Sequence, residues 1–519
     1  MFIKNLHSSK KHNDKKLVRG INFMKNLFGL LLVLSLSACA LNMNGNDVNL
    51  NANSTPTSTA TAADQVATPV VTPEGGTYSS DTLVTIDCET TGADIYYTID
   101  GSEPTVASTL YSEPIAVSDD GTEMDIKAIA VKEGMSNSSV IANTYIIAYA
   151  TLSALTISPS NSIIMSGSEI TITSSVDGAD IYYTTDGSTP DGTSSLYDSG
   201  SKPIVSASST FKAVALKSQY KSSDVASASY VTFKMVSVPT PMTFPTSTND
   251  LGAAATVSTA YKIAETETTY EVWEAIRTWA VDPARGYVIA SVGIMGSLPP
   301  AGNNQHAVST ESWDSAVVWL NALTEYYNTK HGTSYEQVYT CGGDGPVLKD
   351  TTAAEACGMA NITQKAGAKG FRLPINNEWE LAARYINDAN HNGVLNAGEY
   401  YPGNYTSGAD AVYTATSGGV DIDGNGIIRY TSDVSLSHTG INPATSDGPV
   451  KSKAPNALGL YDISGNMWEW CFNILGPERS MRGGQWASFF TGVQIGYAGA
   501  SNPQTYESAS IGFRFVKTE

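Results

Sequence analysis

The twelve residues Asp388-Ala389-Asn390-His391-Asn392-Gly393-Val394-Leu395-Asn396-Ala397-Gly398-Glu399 place side-chain oxygens at positions 1, 3, 5, 9 and 12. Hard divalent cations take oxygen donors. This spacing, with a backbone carbonyl at 7, glycine at 6 for a sharp turn and an apolar residue at 8, is that of a calcium loop. It offers Asp388, Asn390, Asn392, the Val394 carbonyl, Asn396 and Glu399 to one structural calcium ion. Asp421-Ile422-Asp423-Gly424-Asn425-Gly426-Ile427 starts in the same way but ends on Ser432 at position 12, which makes it weaker. Thiol and imidazole chemistry is poorly supplied. The five cysteines, Cys39, Cys88, Cys341, Cys357 and Cys471, include no Cys-x-x-Cys pair, which argues against a structural zinc site. Cys341 and Cys357 flank a Gly/Asp-rich loop and can pair in an exported chain. Cys88 and Cys471 read as buried thiols.

Recognition chemistry gathers between Gln485 and Ser510. Trp486, Phe489, Phe490, Tyr497 and Tyr506 stand among alanines and serines, with one charge, Glu507. The aromatics follow neither a period of 2 nor one of 3.6, so the stretch is no core strand or helix. Tyr, Trp, Ser and Gly in irregular order is the composition of a binding surface held by a scaffold. The candidates for ligand contact are Gln485, Trp486, Ala487, Ser488, Phe489, Phe490, Gly492, Tyr497, Ser501, Gln504, Tyr506, Glu507, Ser508 and Ser510. A long loop with a few buried aromatics is the plainer alternative.

The scaffold has to be extracellular and β-rich. Only 15% of the 519 residues are charged and Tyr (27) far exceeds Phe (12), a balance unlike that of a cytoplasmic helical enzyme. The net charge of -20 argues against nucleic acid, or an anionic membrane, bound through a basic face. Lys25, the apolar run Leu27 to Leu34 and small residues up to Cys39 make a secretory signal too short to span a membrane. Met24 is its expected start. Leu36-Ser37-Ala38-Cys39 resembles a bacterial lipobox, which implies cleavage before Cys39 and lipid on that cysteine. The membrane is then met through the lipid anchor alone. Residues 40–66, mostly Asn, Ser, Thr and Ala, cannot bury a core and predict a disordered tether.

An internal repeat follows. Gly92-Ala93-Asp94-Ile95-Tyr96-Tyr97-Thr98-Ile99-Asp100-Gly101-Ser102 returns 86 residues later as Gly178-Ala179-Asp180-Ile181-Tyr182-Tyr183-Thr184-Thr185-Asp186-Gly187-Ser188. Ile126 to Val131 returns as Phe211 to Leu216. Alternation at Ile95, Tyr97 and Ile99 predicts a half-buried strand, with Asp-Gly as its turn. Two all-β sandwiches are therefore expected, and the resemblance given below implies that they are immunoglobulin-like and span 67–147 and 153–232. Tyr96, Tyr97, Tyr182 and Tyr183 are expected to pack across the sheets, with sugar stacking as the alternative. From about 235 the aromatic-rich domain begins, carrying all eight Trp. Ser312 predicts a helix cap with Ala316, Trp319, Leu320 and Leu323 on one face. A second helix is expected after Pro374, at 375–386, with Trp379 and Ala383 inward.

Several motifs add a family resemblance. The repeats are similar to the immunoglobulin-like chitobiase C-terminal module, an accessory spacer. Ser312-Trp313-Asp314-Ser315-Ala316, Phe371-Arg372-Leu373-Pro374 with Glu378-Trp379-Glu380-Leu381-Ala382-Ala383-Arg384, Asn456 to Trp470, Arg482-Gly483-Gly484 and Ile511-Gly512-Phe513-Arg514 resemble, in order, the motifs of the formylglycine-generating-enzyme (sulfatase-modifying factor) family. That resemblance covers about 235–519 and implies an α+β C-type-lectin-like fold, two helices around a small twisted mixed sheet. It also implies a calcium ion held by Asp462, the Gly465 and Met467 carbonyls, and Glu469. The family's oxidase uses a copper-binding cysteine pair between the RGGS and GFR motifs. This chain has no cysteine after Cys471, and its six histidines are scattered, so neither copper nor oxidase activity is expected. The bracketing of 485–510 near the chain end also resembles the variable proteins of diversity-generating retroelements, of the treponemal variable-lipoprotein type. There the segment between the two motifs is rewritten and forms a solvent-exposed face. The implied function is a surface-anchored lipoprotein displaying a ligand-binding head toward a protein or glycan outside the cell. The alternatives are an oxidase on the same fold and carbohydrate binding through the repeats.

Overall fold

The computed structural model describes residues 64–295, 305–402, 407, 421–422, 428–429, 449–451, 455–485, 490–499 and 503–519. The signal segment, Cys39 and most of the tether lie outside the described residues, as do most of the weaker acidic loop and its Ser432. No helix of the described residues is long and apolar enough to cross a membrane.

The alternating residues of Asp94–Thr98 form a strand in a five-stranded sheet, in the order Gly76–Tyr78, Ile141–Ile147, Glu123–Val131, Asp94–Thr98, Thr109–Leu110. A three-stranded sheet of Val70–Thr72, Thr82–Asp87 and Ile115–Val117 completes the sandwich. Val84, Ile86, Val117, Ile126, Ala128 and Tyr145 fill its core. The second repeat rebuilds the five-stranded sheet as Ser162–Met165, Ala226–Phe233, Ser209–Leu216, Asp180–Thr184, Ser195–Leu196. The correspondence reaches single bonds. The Tyr145 hydroxyl donates to the Pro73 carbonyl at 2.7 Å, and that of Tyr230 to Pro159 at 2.6 Å. Asp100 and Asp186 each accept the N–H two residues on, at Ser102 and Ser188, so the turns are closed by the aspartate side chain. Tyr97 meets Tyr111 edge-on at 6.1 Å and Tyr183 stacks on Phe211 at 6.2 Å. Packing across the sheet, as expected, is the role of these two rings.

Only Lys234 separates the last strand of the second sandwich from Met235–Val238, the first strand of the head. Phe233 crosses the boundary. It packs 5.3 Å from Phe515 and 5.9 Å from Phe371, inside the head's core. The Ile163 N–H donates to the Tyr326 hydroxyl at 2.7 Å, on a helix of the head. The second sandwich and the head therefore share one core.

The described residues of the head hold four helices: α1 (Tyr270–Ala280), α2 (Trp313–His331), α3 (Thr351–Cys357) and α4 (Asn376–Arg384). The resemblance implied two, which α2 and α4 supply. Ser312 caps α2, accepting the Ser315 N–H at 3.1 Å. Trp313 to Thr324 are buried all round, because α1, α3 and Phe371–Arg372 enclose α2. It is the central element of the head and has no solvent face there, unlike the one-sided helix expected. In α4, Trp379 and Ala383 point inward as expected, and Glu378, Glu380 and Arg384 are buried with them. A four-stranded antiparallel sheet in the order Met235–Val238, Tyr261–Ala264, Val516–Thr518, Phe371–Arg372 brings the first and last strands of the head together.

Cys341 and Cys357 are joined, with Cα atoms 5.8 Å apart and a sequence separation of 16. Cross-linking a loop of about 15 residues stabilises by roughly 3 kcal/mol, chiefly by restricting the unfolded chain. Cys341→Ala with Cys357→Ala is therefore expected to lower the unfolding free energy by about that amount. Urea titration of the oxidised protein against the double variant measures it.

Candidate ligand-recognition site

The frame of the site is built on one strand, Trp468–Leu475. Glu469 pairs in register with Arg482 on one side and with Gly512 on the other. The chain leaves this strand's edge after Arg482 and returns to its opposite edge at Ile511, about 10 Å away at two strand spacings. The two ends of the segment between them thus meet on a single residue's backbone, and its described residues include one short 3-10 turn, Phe490–Val493.

Side chains lock the same place. The Arg514 guanidinium donates to both Glu469 oxygens, with Nε at 2.8 Å and Nη2 at 2.6 Å. Trp379 Nε1 donates to Glu469 Oε2 at 2.7 Å. All three are fully buried. Arg482 reaches Glu380 at 2.9 Å and donates to the carbonyls of Ile495 and Tyr497 at 3.2 and 3.3 Å. Gly484 has φ +75, and a Cβ there would meet the Gly492 carbonyl oxygen at 2.6 Å. The glycine is needed for both reasons.

The predicted segment divides in two. Within 492–499, Gly492, Val493, Ile495 and Gly499 are buried and Gln494, Gly496, Tyr497 and Ala498 half-buried. A Cβ on Gly496 would lie 2.3 Å from the Ser247 backbone, and one on Gly499 2.4 Å from the Trp468 ring. Gly492 is buried, because Gly484 packs against its carbonyl. Gln504 is buried because its carbonyl accepts the Asp314 N–H at 3.3 Å at the start of α2. These two residues, expected as contacts, belong to the support. Tyr497 is half-buried, 6.2 Å from the Trp468 ring, and Gln485 is half-buried. Tyr506 is 43% exposed. Glu507 and Ala509 are exposed, and Ser508 and Ser510 half-exposed. Hydrogen bonds from Thr310 N to the Ser508 carbonyl (3.0 Å) and from Trp468 N to the Ser510 carbonyl (3.0 Å) pin this last stretch. Trp486, Ala487, Ser488, Phe489 and Ser501, and the side chain of Phe490, lie outside the described residues.

Beneath the exposed stretch lie two acids that the sequence reading passed over. Glu311 and Asp314 are fully buried, and none of their carboxyl oxygens has a hydrogen-bond partner among the described residues. Ser291 hydrogen-bonds the Glu507 carboxylate above them. Burial pushes Asp314 from 3.8 to about 7, with Glu355 adding to the rise and Arg479 opposing it. Burial, reinforced by Glu507, also pushes Glu311 well up. A carboxyl whose folded pKa is raised binds its proton more tightly in the native state. Its contribution is complete below the unfolded pKa and is lost as pH rises through the folded one. The head is therefore expected to lose stability as pH climbs from about 4 to about 7, and Asp314→Asn to flatten that slope. Thermal melting across this pH range checks it.

The two calcium expectations separate. In the loop 388–399, Gly393 takes φ +73. Leu395, at the apolar position, is buried and donates its N–H to the Thr243 carbonyl at 2.8 Å. The Glu399 carboxylate folds back across the loop, accepting Ala389 N at 3.0 Å, Asn396 N at 2.8 Å and Asn390 Nδ2 at 3.2 Å. The Asn396 N–H is the main reason its carboxyl is held below the usual range. The residue types at positions 1, 3, 5, 9 and 12 are those of a calcium loop, while in this structure the Glu399 and Asp388 carboxylates accept N–H groups of the loop itself. Around Asp462 the residues do not fit. Both Glu469 oxygens are committed to Arg514 and Trp379, and Asp462 Oδ2 accepts the Lys451 N–H at 2.8 Å. A fixed guanidinium supplies the positive charge, which corrects the implied ligand set of Asp462, Gly465, Met467 and Glu469. The turn through Gly465 is held instead by the buried Glu267, which accepts Asn466 Nδ2 at 2.8 Å and Met467 N at 3.1 Å.

Residues 73–143 and 159–227 match the Chitobiase/beta-hexosaminidase C-terminal domain, and residues 232–519 the Sulfatase-modifying factor enzyme 1-like domain. Among characterised relatives, the chaperone protein LppX of Paenibacillus barcinonensis is 30% identical over 219 residues, spanning 40% of this chain and 68% of that protein. The formylglycine-generating enzyme of Thermomonospora curvata is 32% identical over 105 residues, 20% of this chain and only 27% of the enzyme. Treponema denticola variable protein 1 is 24% identical over 55% of this chain and 95% of its own, with a TM-score of 0.38. The match over 232–519 takes in more than half of the sequence. The chain belongs to the sulfatase-modifying factor enzyme 1-like family, carrying its C-type-lectin-like domain behind two chitobiase C-terminal-type sandwiches.

Proposed function

We propose that this protein binds a protein or glycan ligand through the exposed parts of 485–510, displayed outside the cell on two spacer sandwiches, and that it is no oxidase. The observation that carries the reading is the contrast within one loop. Its two ends and its middle are fixed by buried residues and glycines, while Tyr506, Glu507 and Ala509 face solvent. Rigid support under exposed aromatic and small side chains gives contact area at low entropic cost. A library randomised at 506–509 is expected to fold in most members, since exposed substitutions shift stability by about 0.5 kcal/mol or less. The same library at 482–484 is expected to fold in few. Equal tolerance at both places would sink the proposal. Against oxidase chemistry stands the thiol inventory. In the head, Cys341 and Cys357 are bonded and Cys471 is fully buried, its thiol pushed up by burial. Cysteine-to-formylglycine conversion of a sulfatase peptide by the purified protein, read by mass spectrometry, would overturn this part.

Two further pieces belong to the proposal. Cys39 carries the lipid that tethers the chain to an outer membrane or cell surface, supported by Leu36-Ser37-Ala38-Cys39. Labelled fatty acid is expected in the wild type and absent from Cys39→Ser. The loop 388–399 holds a structural calcium ion through Asp388, Asn390, Asn392, the Val394 carbonyl, Asn396 and Glu399. An ion bound only by the native state at a hundred times its Kd stabilises by about 2.7 kcal/mol. Chelator is therefore expected to lower Tm in the wild type and to leave Glu399→Gln unmoved.

A further inference from the structure

Two exposed aliphatic side chains stand on loops that touch the segment 485–510 without belonging to it. Leu251 is 84% exposed and Val292 56%. A single exposed aliphatic residue is ordinary, but these two are held rigidly. Leu251 lies between Met242–Phe244 and Ala255–Val257, which pair antiparallel. In that connection Ser247 and Asp250 take φ +73 and +56, a left-handed backbone that residues other than glycine keep only where the surroundings impose it. The fully buried Arg384 imposes it, donating to Asp250 Oδ1 and to the Ser247 carbonyl, both at 2.7 Å. Asn249 Oδ1 accepts the Leu251 N–H at 3.1 Å.

The same buried network runs on into the recognition segment. Arg384 donates to Glu380 Oε1 at 2.8 Å, and the other oxygen of Glu380 accepts from Arg482 at 2.9 Å. Arg482 in turn holds the carbonyls of Ile495 and Tyr497. The Ser247 backbone meets Gly496 so closely that no Cβ fits there. Val292 is tied to the segment nearer its C-terminal end. Its carbonyl accepts Trp273 Nε1 at 3.1 Å. Gly293 beside it has φ +65 and no room for a Cβ against the same indole. The neighbouring Ser291 hydrogen-bonds the Glu507 carboxylate.

We infer that Leu251 and Val292 are fixed apolar contacts of the recognition face, and that the ligand gripped there is a protein with an apolar surface. The inference rests on the reading of 485–510 as that face. An aliphatic side chain offers a sugar neither a hydrogen bond nor a flat ring to stack on. Burying it against apolar protein surface is favourable, and holding it in place beforehand reduces the entropy lost on binding. The exposed residues of the segment choose the partner, and the two aliphatic residues add affinity whatever stands at 506–509.

Site-specific photocrosslinking tests it. A diazirine-bearing amino acid is placed in the full chain at 251, 292 or 506, or at Leu83 of the first sandwich, which is 63% exposed, as a control. Each protein is illuminated with whole cells and spent medium of the source organism. The same protein adduct at 251, 292 and 506, with none at 83, is expected. In titrations with that protein, Leu251→Ser and Val292→Ser should each weaken binding about tenfold. Both should leave the urea midpoint unchanged, which separates a lost contact from a lost fold. An adduct at 506 alone, one shared with 83, or binding untouched by either serine variant would overturn the inference and leave the face itself standing. Glycan adducts would overturn the assignment of a protein ligand. No adduct at 506 would overturn the reading of the face, and the inference with it.

Discussion

Glu469→Ala is expected to destabilise the head by about 3–5 kcal/mol, because it leaves the fully buried Arg514 guanidinium without its carboxylate. Domains of this kind have only about 5–15 kcal/mol in total, so much of the head's stability would go. The loss should exceed that of any surface pair such as Lys127–Glu103, whose partners are 25% and 70% exposed and which is worth about 1 kcal/mol or less. Urea unfolding followed by tryptophan fluorescence reports on the head and whatever unfolds with it, since all eight Trp lie beyond residue 270. Glu469→Leu with Arg514→Met should be milder than Glu469→Ala, because no buried charge is left alone. The functional consequence follows from register. Glu469 is the residue on whose two sides the recognition loop begins and ends. A shift below about 1 kcal/mol would mean that the loop is anchored by something else.

The second large effect concerns the spacer. Phe233→Ala removes a ring packed against Phe371, Phe515 and Tyr327. Truncating a buried Phe costs about 3–5 kcal/mol through lost burial and the cavity left behind. Phe233 belongs to a strand of the second sandwich yet sits in the head's core. In the wild type these two are therefore expected to unfold in one calorimetric transition, which Phe233→Ala should split. Two separate wild-type transitions for these domains would contradict a shared core. A head fused rigidly to its spacer presents its face in a fixed direction.

Much of this architecture was legible in the sequence. The repeat announced itself in Asp94–Thr98 and Asp180–Thr184, and the match extends to Tyr145 and Tyr230, whose hydroxyls reach equivalent proline carbonyls. The α2 cap was readable at Ser312. Helix α1 was missed although Thr269 offers a cap and Val272, Trp273, Ile276 and Ala280 repeat at helical spacing. A run of acidic and polar residues between those positions obscured it. The all-round burial of α2 was not readable, because it depends on what packs against each side. The buried charges were likewise hidden. Glu469, Glu380 and Arg482 look like surface residues until the fold brings together partners 45 to 102 positions apart. The exposed and buried halves of 485–510 could not be told apart from composition either. Gly496 and Gly499 look like loop glycines, and only the nearness of Ser247 and Trp468 shows that nothing larger fits.

The most direct measurement is deep sequencing of codons 480–519 across a population of the source organism. The account predicts substitutions at 486–489 and among 501–510, with Tyr506, Glu507 and Ala509 changing freely. It predicts none at Gly483, Gly484, Gly496, Gly499, or Ile511 to Arg514, where a side chain would clash or a buried contact would be lost. A uniform segment, or substitutions spread equally over frame and loop, would contradict a diversified recognition face.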